Sequence, residues 1–288
     1  MSRRNAEILL AAVILARSTS FVLNKYTLGG MGPFNLLAVR FLLASLLLLP
    51  MLWKRRGNLT RSAGVKGVLL GLALFAMLTA ELIALQTTSS SLTSFLENTA
   101  IVLVPLVSAL LLRRWPGTAE LFSAVVAMAG VGLLTLGSGL QLSGGVAWCL
   151  LAAAFYTGLI LLTDRFSHQE DSLLLGIIQV MSLGVAALGA SWLFETPRLP
   201  GSGTEWGAIL VLAVVCTGFG FTLQPVAQSH TTAERAGLFC ALSPAFSGAL
   251  GYLLLGERFG VQGFLGAALI LGSIFLTQIL ENRTAKKE

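Results

Sequence analysis

Charged residues are scarce in this chain, and their scarcity decides its class. They make up 11% of the 288 residues, whereas apolar residues make up 55%. Soluble domains carry about 25% charged residues, and the mean hydropathy here is +0.83. The composition therefore excludes a water-soluble globular domain and indicates that lipid is the solvent for most of the chain.

Cysteine and histidine are also rare, which argues against thiol and metal chemistry. Cys149, Cys216 and Cys240 lie in apolar segments, are odd in number and lack metal-ligand spacing, so we interpret them as small core residues. The sequence has no paired histidines, no nucleophile-base set and no nucleotide-binding Gly-Lys motif. We therefore expect no enzyme activity, no cofactor, no metal site and no drive by ATP within this chain.

Long apolar runs fill the chain instead. A helix that crosses a bilayer needs about 20 apolar residues. The first run resembles a secretory signal, but Arg17, Phe21 and Lys25 do not make a small-residue cleavage site, so an uncleaved helix is expected. The sequence predicts an all-α membrane protein with ten transmembrane helices, near 8–28, 34–53, 65–85, 92–112, 119–138, 145–163, 172–194, 206–227, 233–255 and 260–280.

The positions of the cations predict the orientation. If the ten helices alternate, Lys25, Arg198 and Arg258 fall at or near one side. The cations that fall on the other side are Arg3, Arg4, Lys54, Arg55, Arg56, Arg61, Lys66, Arg113, Arg114, Arg165, Arg235, Arg283, Lys286 and Lys287. This bias predicts a multi-pass protein of the cell inner membrane with both termini cytoplasmic. The asymmetry and anionic headgroups also explain the formal charge of +6, so no nucleic-acid partner is expected.

A weak internal repeat divides the chain. Leu111, Leu112, Gly130 and Thr135 match Leu253, Leu254, Gly272 and Thr277 at one fixed offset, and Pro105 and Pro244 each fall in the fourth span of a half. Five crossings are an odd number, so the second half enters from the opposite face, which predicts inverted repeats at residues 1–140 and 141–288. The alternative is a chance likeness between apolar helices.

Particular stretches resemble a known family. They are Ser20-Phe21-Val22-Leu23-Asn24-Lys25 with Leu37-Ala38-Val39-Arg40-Phe41, Leu103-Val104-Pro105-Leu106, and Leu242-Ser243-Pro244-Ala245 with Leu253-Leu254-Leu255-Gly256-Glu257-Arg258. They are similar to an EamA-type member of the drug/metabolite transporter superfamily. The resemblance implies two inverted five-helix repeats that move small metabolites, often exported amino acids or drugs, across the inner membrane. Arg17-Ser18 replaces the family's usual Trp-Gly pair, so an analogy to aromatic substrates is not carried over.

The few charges inside the spans are the candidate functional groups. Arg17 falls near mid-membrane, and Lys25, Arg40, Glu81 and Glu97 fall in outer parts of their helices. Burying a lone ion costs several kcal/mol, so these groups are expected to face the bundle interior. Arg17 either binds substrate or pairs structurally with Glu97 or Glu81. Arg40 is a helix clamp or a substrate contact, and either carboxyl could take a proton or a cationic group.

A polar stripe on the first helix indicates where a substrate would bind. Arg17, Ser20, Phe21 and Asn24 share one helical face, which should point away from lipid. The predicted substrate-binding residues are Arg17, Phe21, Asn24, Glu81, Glu97, Asn98, Tyr156, Gln179 and Gln224. Structural or gating roles are predicted for Lys25, Arg40, Pro105, Pro244 and Glu257. The charges of 164–171 are interpreted as a solvated loop.

These features favour a secondary transporter, an exporter of amino acids or related amphipathic metabolites that works by alternating access. An intramembrane enzyme would need a catalytic constellation, and a scaffold or channel subunit would need an oligomerisation face or a filter loop. The expected partners are a small-molecule substrate and the lipid bilayer, with a proton as the candidate coupling ion. The oligomeric state is unknown from the sequence, and a monomer would suffice.

Overall fold

The structure, a computed structural model, describes residues 1–88, 90–111, 113, 118–135 and 144–243, together with positions 246, 262, 265–266, 268–273 and 276. Every regular element in this part of the chain is helical, as the composition predicts. The helices are α1 Arg3–Ser18, α2 Ser20–Leu28, α3 Pro33–Arg55, α4 Arg61–Thr87, α5 Ser90–Glu97, α6 Ala100–Leu111, α7 Thr118–Thr135, α8 Val146–Ser167, α9 Ser172–Phe194, α10 Gly203–Val211, α11 Thr222–Gln228 and α12 Ala233–Phe239.

Within the described residues, seven helical stretches are long and apolar enough to cross a membrane. They are Arg3–Leu28, Pro33–Asn58, Arg61–Thr87, Thr93–Leu111, Val146–Ser167, Ser172–Phe194 and Gly203–Gln228, with a shorter apolar helix at Leu121–Leu133. These stretches coincide with predicted spans one to four and six to eight, and α7 lies in the fifth. The predicted ninth and tenth spans fall largely outside the described residues, and α12 is the beginning of the ninth.

Polar side chains determine where several helices begin. Each N-cap side chain accepts a hydrogen bond from a backbone N–H of the first turn, which has no partner inside the helix. The capping residues are Ser2 for α1, Thr60 for α4, Asp171 for α9, Ser202 for α10 and Thr232 for α12. These caps lie at the ends of the apolar runs, which explains why run length predicted the helix ends to within a few residues.

Three of the membrane-crossing stretches are interrupted, which the sequence did not predict. The first stretch breaks at Thr19, whose hydroxyl donates to the carbonyl of Ala16. The fourth breaks at Asn98 and Thr99, whose side chains donate to the carbonyls of Ser94 and Leu96. Such side-chain hydrogen bonds compete with the helical ladder. The third interruption is a π-helical segment, Leu212–Phe221, between α10 and α11.

Helix α9 lies at the centre of the bundle, with its largest contacts against α3 and α4. It runs antiparallel to α3, because Glu195 at its end accepts from the backbone N–H of Asn35 (2.8 Å), while Asp171 at its start accepts from Arg55 (2.6 Å). Gly184 allows the close packing, since a Cβ there would lie 3.2 Å from the backbone nitrogen of Leu42. The two helices therefore form a pair that is held at both ends.

Candidate functional site

A cavity lies where the interrupted helices meet. Its volume is about 20 Å³, roughly the space that one water molecule needs. Its walls combine charged, polar and apolar side chains, namely Ile14, Arg17, Ser20, Phe21, Glu81, Glu97, Asn98, Tyr156, Phe221, Cys240 and Ser243. Six predicted substrate-binding residues are therefore brought to one cavity: Arg17, Phe21, Glu81, Glu97, Asn98 and Tyr156.

Arg17 reaches this cavity from the end of α1. Its Nη1 atom donates to the Tyr156 hydroxyl (3.0 Å) and to Oε1 of Gln224 (2.6 Å). Its Nε atom is buried and has no hydrogen-bond partner among the described residues. The guanidinium also lies over two aromatic rings, with Cζ 4.1 Å from the ring centroid of Phe221 and 5.1 Å from that of Tyr156. Neutral partners and ring faces thus hold this charge.

The sequence left open a structural pair between Arg17 and Glu97 or Glu81, and the structure corrects this. Within the described residues, the polar contacts of Arg17 go to Tyr156 and Gln224, both in the second half of the chain. The charge of Glu97 still acts on Arg17 through space. The guanidinium therefore keeps donor capacity for another group.

Arg40 is completely buried in α3 and lies close to the same aromatic cluster. Its Nε atom donates to the Thr217 hydroxyl (2.7 Å), and its Nη1 atom donates to Oδ1 of Asn24 (3.3 Å). Its Cζ atom lies 5.2 Å from the ring centroid of Phe41 and 5.7 Å from that of Phe221. Arg40 thus joins helices from both halves of the chain, and it is not among the residues that line the cavity.

Asn24 connects the buried cation to the buried carboxyls. Its Nδ2 atom donates to Oε1 of Glu81 (3.3 Å), while its Oδ1 atom accepts from Arg40. The carboxyls of Glu81 and Glu97 are both buried and line the same cavity. Oε2 of Glu97 is buried without a hydrogen-bond partner in the described part of the chain. The cavity therefore contains an acceptor on Glu97 as well as a donor on Arg17.

The remaining predicted residues lie at varied distances from the cavity. Gln224 accepts a hydrogen bond from Arg17. Gln179 is buried in α9, and its Oε1 atom has no partner among the described residues. Lys25 donates to the carbonyls of Leu85 and Thr88, which end α4, an interaction expected of a cation at a helix C-terminus. Pro105 is buried inside α6. Pro244 and Glu257 lie outside the described residues.

Sequence reasoning missed three cavity residues. Phe221 ends the π-helical segment, and Cys240 follows α12 and shares a hydrogen bond with the Tyr156 hydroxyl (3.1 Å). Ile14 lies one turn before Arg17 and is an apolar wall. Phe221 and Ile14 look like core residues in the sequence. Only the spacing of Phe221, three residues before Gln224, could have indicated a shared face.

Polar contacts close the end of the bundle where the chain begins. Arg235 donates to Glu7 in an ion pair whose side chains are 6% and 11% exposed, and Ser108 donates to Glu234. These contacts join α1 and α6 to α12. Between them and the cavity, a Cβ on Gly237 would meet Val104 at 3.2 Å. We name the four side chains Glu7, Ser108, Glu234 and Arg235 the terminal seal.

The loop between α8 and α9 binds the first turns of α4. Glu170 accepts from Lys66 Nζ (2.7 Å) and from the Ser62 hydroxyl (2.5 Å). These hydrogen bonds to the charged form hold the pKa of the Glu170 carboxyl below its ordinary value.

The pKa of Asp171, in the same loop, is also lowered. Burial raises its pKa, but hydrogen bonds from Asn58 (2.7 Å) and Arg55 (2.6 Å) outweigh burial, so the pKa lies below its ordinary value. The predicted charged loop is present at the surface, and these two carboxylates also connect it to the end of α3 and the start of α4.

Comparisons with known proteins agree with this architecture. The model of the EamA-like transporter family matches residues 4–136 and 143–279. An uncharacterized transporter from Archaeoglobus fulgidus is 26% identical over 282 residues, with 97% of this chain and 87% of the relative covered. The uncharacterized transporter YetK from Bacillus subtilis is 27% identical over 290 residues, covering 95% and 87%. A solved crystal structure has the same fold, with a TM-score of 0.81 at 20% identity, covering 98% of this chain and 99% of the other.

Proposed function

Because this chain belongs to the EamA-like transporter family, we propose that it is a secondary transporter that carries small amphipathic metabolites by alternating access. Membership of this family and the long apolar helices make it a multi-pass membrane transporter. The proposal adds a substrate class, a coupling ion and a mechanism. The observation that carries it is the guanidinium of Arg17 on the cavity wall, held by neutral partners and with an Nε donor that has no partner among the described residues.

The substrate class follows from the groups in the cavity. Arg17 can donate to a carboxylate or another acceptor, since a guanidinium binds carboxylates in a fork geometry. Oε2 of Glu97, which has no hydrogen-bond partner in the described part of the chain, can accept from an ammonium group, while Phe21 and Ile14 provide apolar contact. An amino acid or a related compound, with one apolar part and one or two charges, matches these groups.

The small cavity supports alternating access. About 20 Å³ does not hold a metabolite, so the helices have to separate before substrate enters. The terminal seal closes one end, and breaking it would open the cavity toward that end. The interruptions at Thr19 and Asn98 leave α1–α2 and α5–α6 as pairs of shorter helices, an arrangement common where transporters bind substrate.

The whole architecture in this proposal is ten helices in two inverted repeats, at residues 1–140 and 141–288. Its support is the pair of family matches, at 4–136 and 143–279. An odd number of spans in each repeat and the bias of the cations favour cytoplasmic termini in the inner membrane. Export is the proposed direction on the family resemblance alone. A reporter fused after Lys287 tests the orientation, because a periplasmic signal there would exclude both the even number of spans and the inverted repeat.

A proton is the proposed coupling ion, and Glu81 and Glu97 are its proposed site. The two carboxyls are buried at the same cavity, and among the described residues Asn24 connects Arg40 to Glu81. Two carboxyls that share a buried site avoid carrying two negative charges by sharing a proton. A pH gradient should therefore change the rate of flux, and replacement of both residues by glutamine should remove that dependence.

The experiment is counterflow by the purified protein in liposomes. L-leucine, 4-methylpentanoate and isoamylamine share one branched five-carbon apolar group and differ in the charged groups, so they separate the roles of carboxylate and ammonium. We expect flux of the two carboxylates, little flux of the amine, and loss of both fluxes in Arg17→Ala. The matched control is Arg56→Ala, at an exposed arginine far along the chain from the cavity residues. Transport at the native rate by Arg17→Ala, or carriage of the amine alone, would refute the substrate class.

A further inference from the structure

One aromatic ring of the second half lies against both buried guanidinium groups of the first. The centroid of the Phe221 ring is 4.1 Å from Cζ of Arg17 and 5.7 Å from Cζ of Arg40. The ring is 2% exposed and is also packed 5.9 Å from the ring of Phe41. A buried ring face attracts cations electrostatically, and the attraction grows when water is excluded.

The backbone next to this ring is shaped to receive Arg17. Gly220 faces the aliphatic part of the arginine, and a Cβ there would lie 2.7 Å from Cγ of Arg17. Any larger residue would push the side chain away. Gly220 and Phe221 end the π-helical segment, a backbone form that is rare and occurs often at functional sites. The segment therefore presents a small residue and a ring face to one cation.

The hydrogen bonds of Arg17 are too few to determine its position by themselves. Both hydrogen bonds use Nη1, with Tyr156 and Gln224 as partners, and Nε has no partner among the described residues. The Nε side of the guanidinium is therefore not held by a hydrogen bond within the described part of the chain. The Phe221 ring lies against the guanidinium, 4.1 Å from Cζ, and restricts the direction in which this donor can point.

We propose that Phe221 is a positioning residue that orients the Arg17 guanidinium toward the cavity and thereby selects substrates that carry an acceptor group. The orienting part concerns the protein alone, whereas the selecting part rests on the proposed function. In both the orienting and the selecting part, Phe221 acts through Arg17 and needs no contact with the substrate.

The first test measures the position of Arg17 without any substrate. In protein labelled with ¹⁵N-arginine, the Nε–H proton of Arg17 should resonate at low frequency because it lies over a ring face. Arg17→Lys identifies the signal by removing it. Phe221→Met keeps most of the volume but has no ring, and should return the signal toward the ordinary arginine position, whereas Phe221→Tyr should keep it shifted. Phe219→Met, an exposed position in the same segment, is the matched control.

The second test is counterflow of L-leucine and 4-methylpentanoate in liposomes. Phe221→Met should raise the half-saturation concentration for both by about tenfold, with little change in maximal rate, and Phe221→Tyr should restore it. An unchanged Arg17 signal in Phe221→Met would overturn the orienting role. A shifted signal with unchanged half-saturation would overturn the selecting role. If the native protein carries neither compound, the proposed substrate class fails and the selecting role with it, while the resonance test still decides the orientation.

Discussion

Arg17 and Arg40 lie inside the bundle and are stabilised by many weak contacts, and no ion pair to either is found among the described residues. Taking an ion out of water costs several kcal/mol unless partners replace the water. Arg40 obtains these partners from Thr217 and Asn24, and from the rings of Phe41 and Phe221. Arg17 uses Tyr156 and Gln224 in the same way. These contacts disperse each charge without neutralising it, so Arg17 presents a positive charge to a ligand at the cavity.

The depth of Arg17 could be predicted by counting residues along an apolar run, but its partners could not. Tyr156 and Gln224 lie 139 and 207 residues further along the chain. The rotation and packing of the helices decide which neutral group contacts a guanidinium so far away in the sequence. A local sequence pattern contains neither. Charge arithmetic favoured Glu81 and Glu97, and it failed for Arg17 because hydroxyl, amide and ring partners carry no formal charge.

At the residue scale, Asn24→Leu is predicted to destabilise the protein. Asn24 is completely buried and connects Arg40 to Glu81, so its loss leaves charged groups short of hydrogen bonds. We expect the free energy of unfolding, measured by titration with SDS in mixed micelles, to fall by about 2–3 kcal/mol. Asn5→Leu, at an exposed asparagine in α1, should change it little. Equal values for the two variants would mean that the bridge does not stabilise the fold.

At the scale of helices, the ends and the interruptions have different causes. The ends follow bilayer thickness and capping residues such as Thr60 and Asp171, and both can be read from the sequence. The interruptions at Thr19 and Asn98 depend on side chains that donate to carbonyls of their own helix. Such bonds also form in unbroken helices, so threonine and asparagine in a run do not by themselves predict a break.

The α3–α9 pair is held by hydrogen bonds at both of its ends. Glu195 accepts hydrogen bonds from the backbone N–H groups of Phe34 and Asn35. At the opposite end, Asp171 accepts hydrogen bonds from the side chains of Arg55 and Asn58. Both carboxylates therefore act at helix ends, where orphan backbone groups and opposite charge favour them. We expect this pair to move as one body.

Acid should weaken the contacts of the 168–171 loop. The pKa values of Glu170 and Asp171 lie below their ordinary values in the folded protein, so the stability they contribute is present above about pH 4 and is lost as the pH falls. The double variant Glu170→Gln, Asp171→Asn should melt about 2–4 °C below the native protein at pH 7. That difference should shrink toward zero between about pH 5 and pH 3. A difference that is independent of pH, or as large in Gln169→Ala, would speak against these contacts.

At the scale of the whole molecule, the terminal seal and the cavity are both formed by residues from the two halves of the chain. Glu7 and Ser108 belong to the first half of the chain, and Arg235 and Glu234 belong to the second, so the seal joins the halves at one end. The ordering of helices, the apolar class and the position of Arg17 could all be predicted from the sequence. The closed cavity and the seal could not, because each depends on how the two halves pack against each other.

The most direct test of alternating access is reversible cross-linking of the seal. In a background without native cysteines, Glu7→Cys, Arg235→Cys would be treated with a short bifunctional methanethiosulfonate reagent in liposomes. Counterflow of L-leucine should stop and should return with dithiothreitol, because the cavity can no longer open at that end. The control is Arg55→Cys, Asp171→Cys, an ion pair within the α3–α9 pair, where the same cross-link should leave counterflow intact. Full counterflow with the seal cross-linked would contradict alternating access through this end.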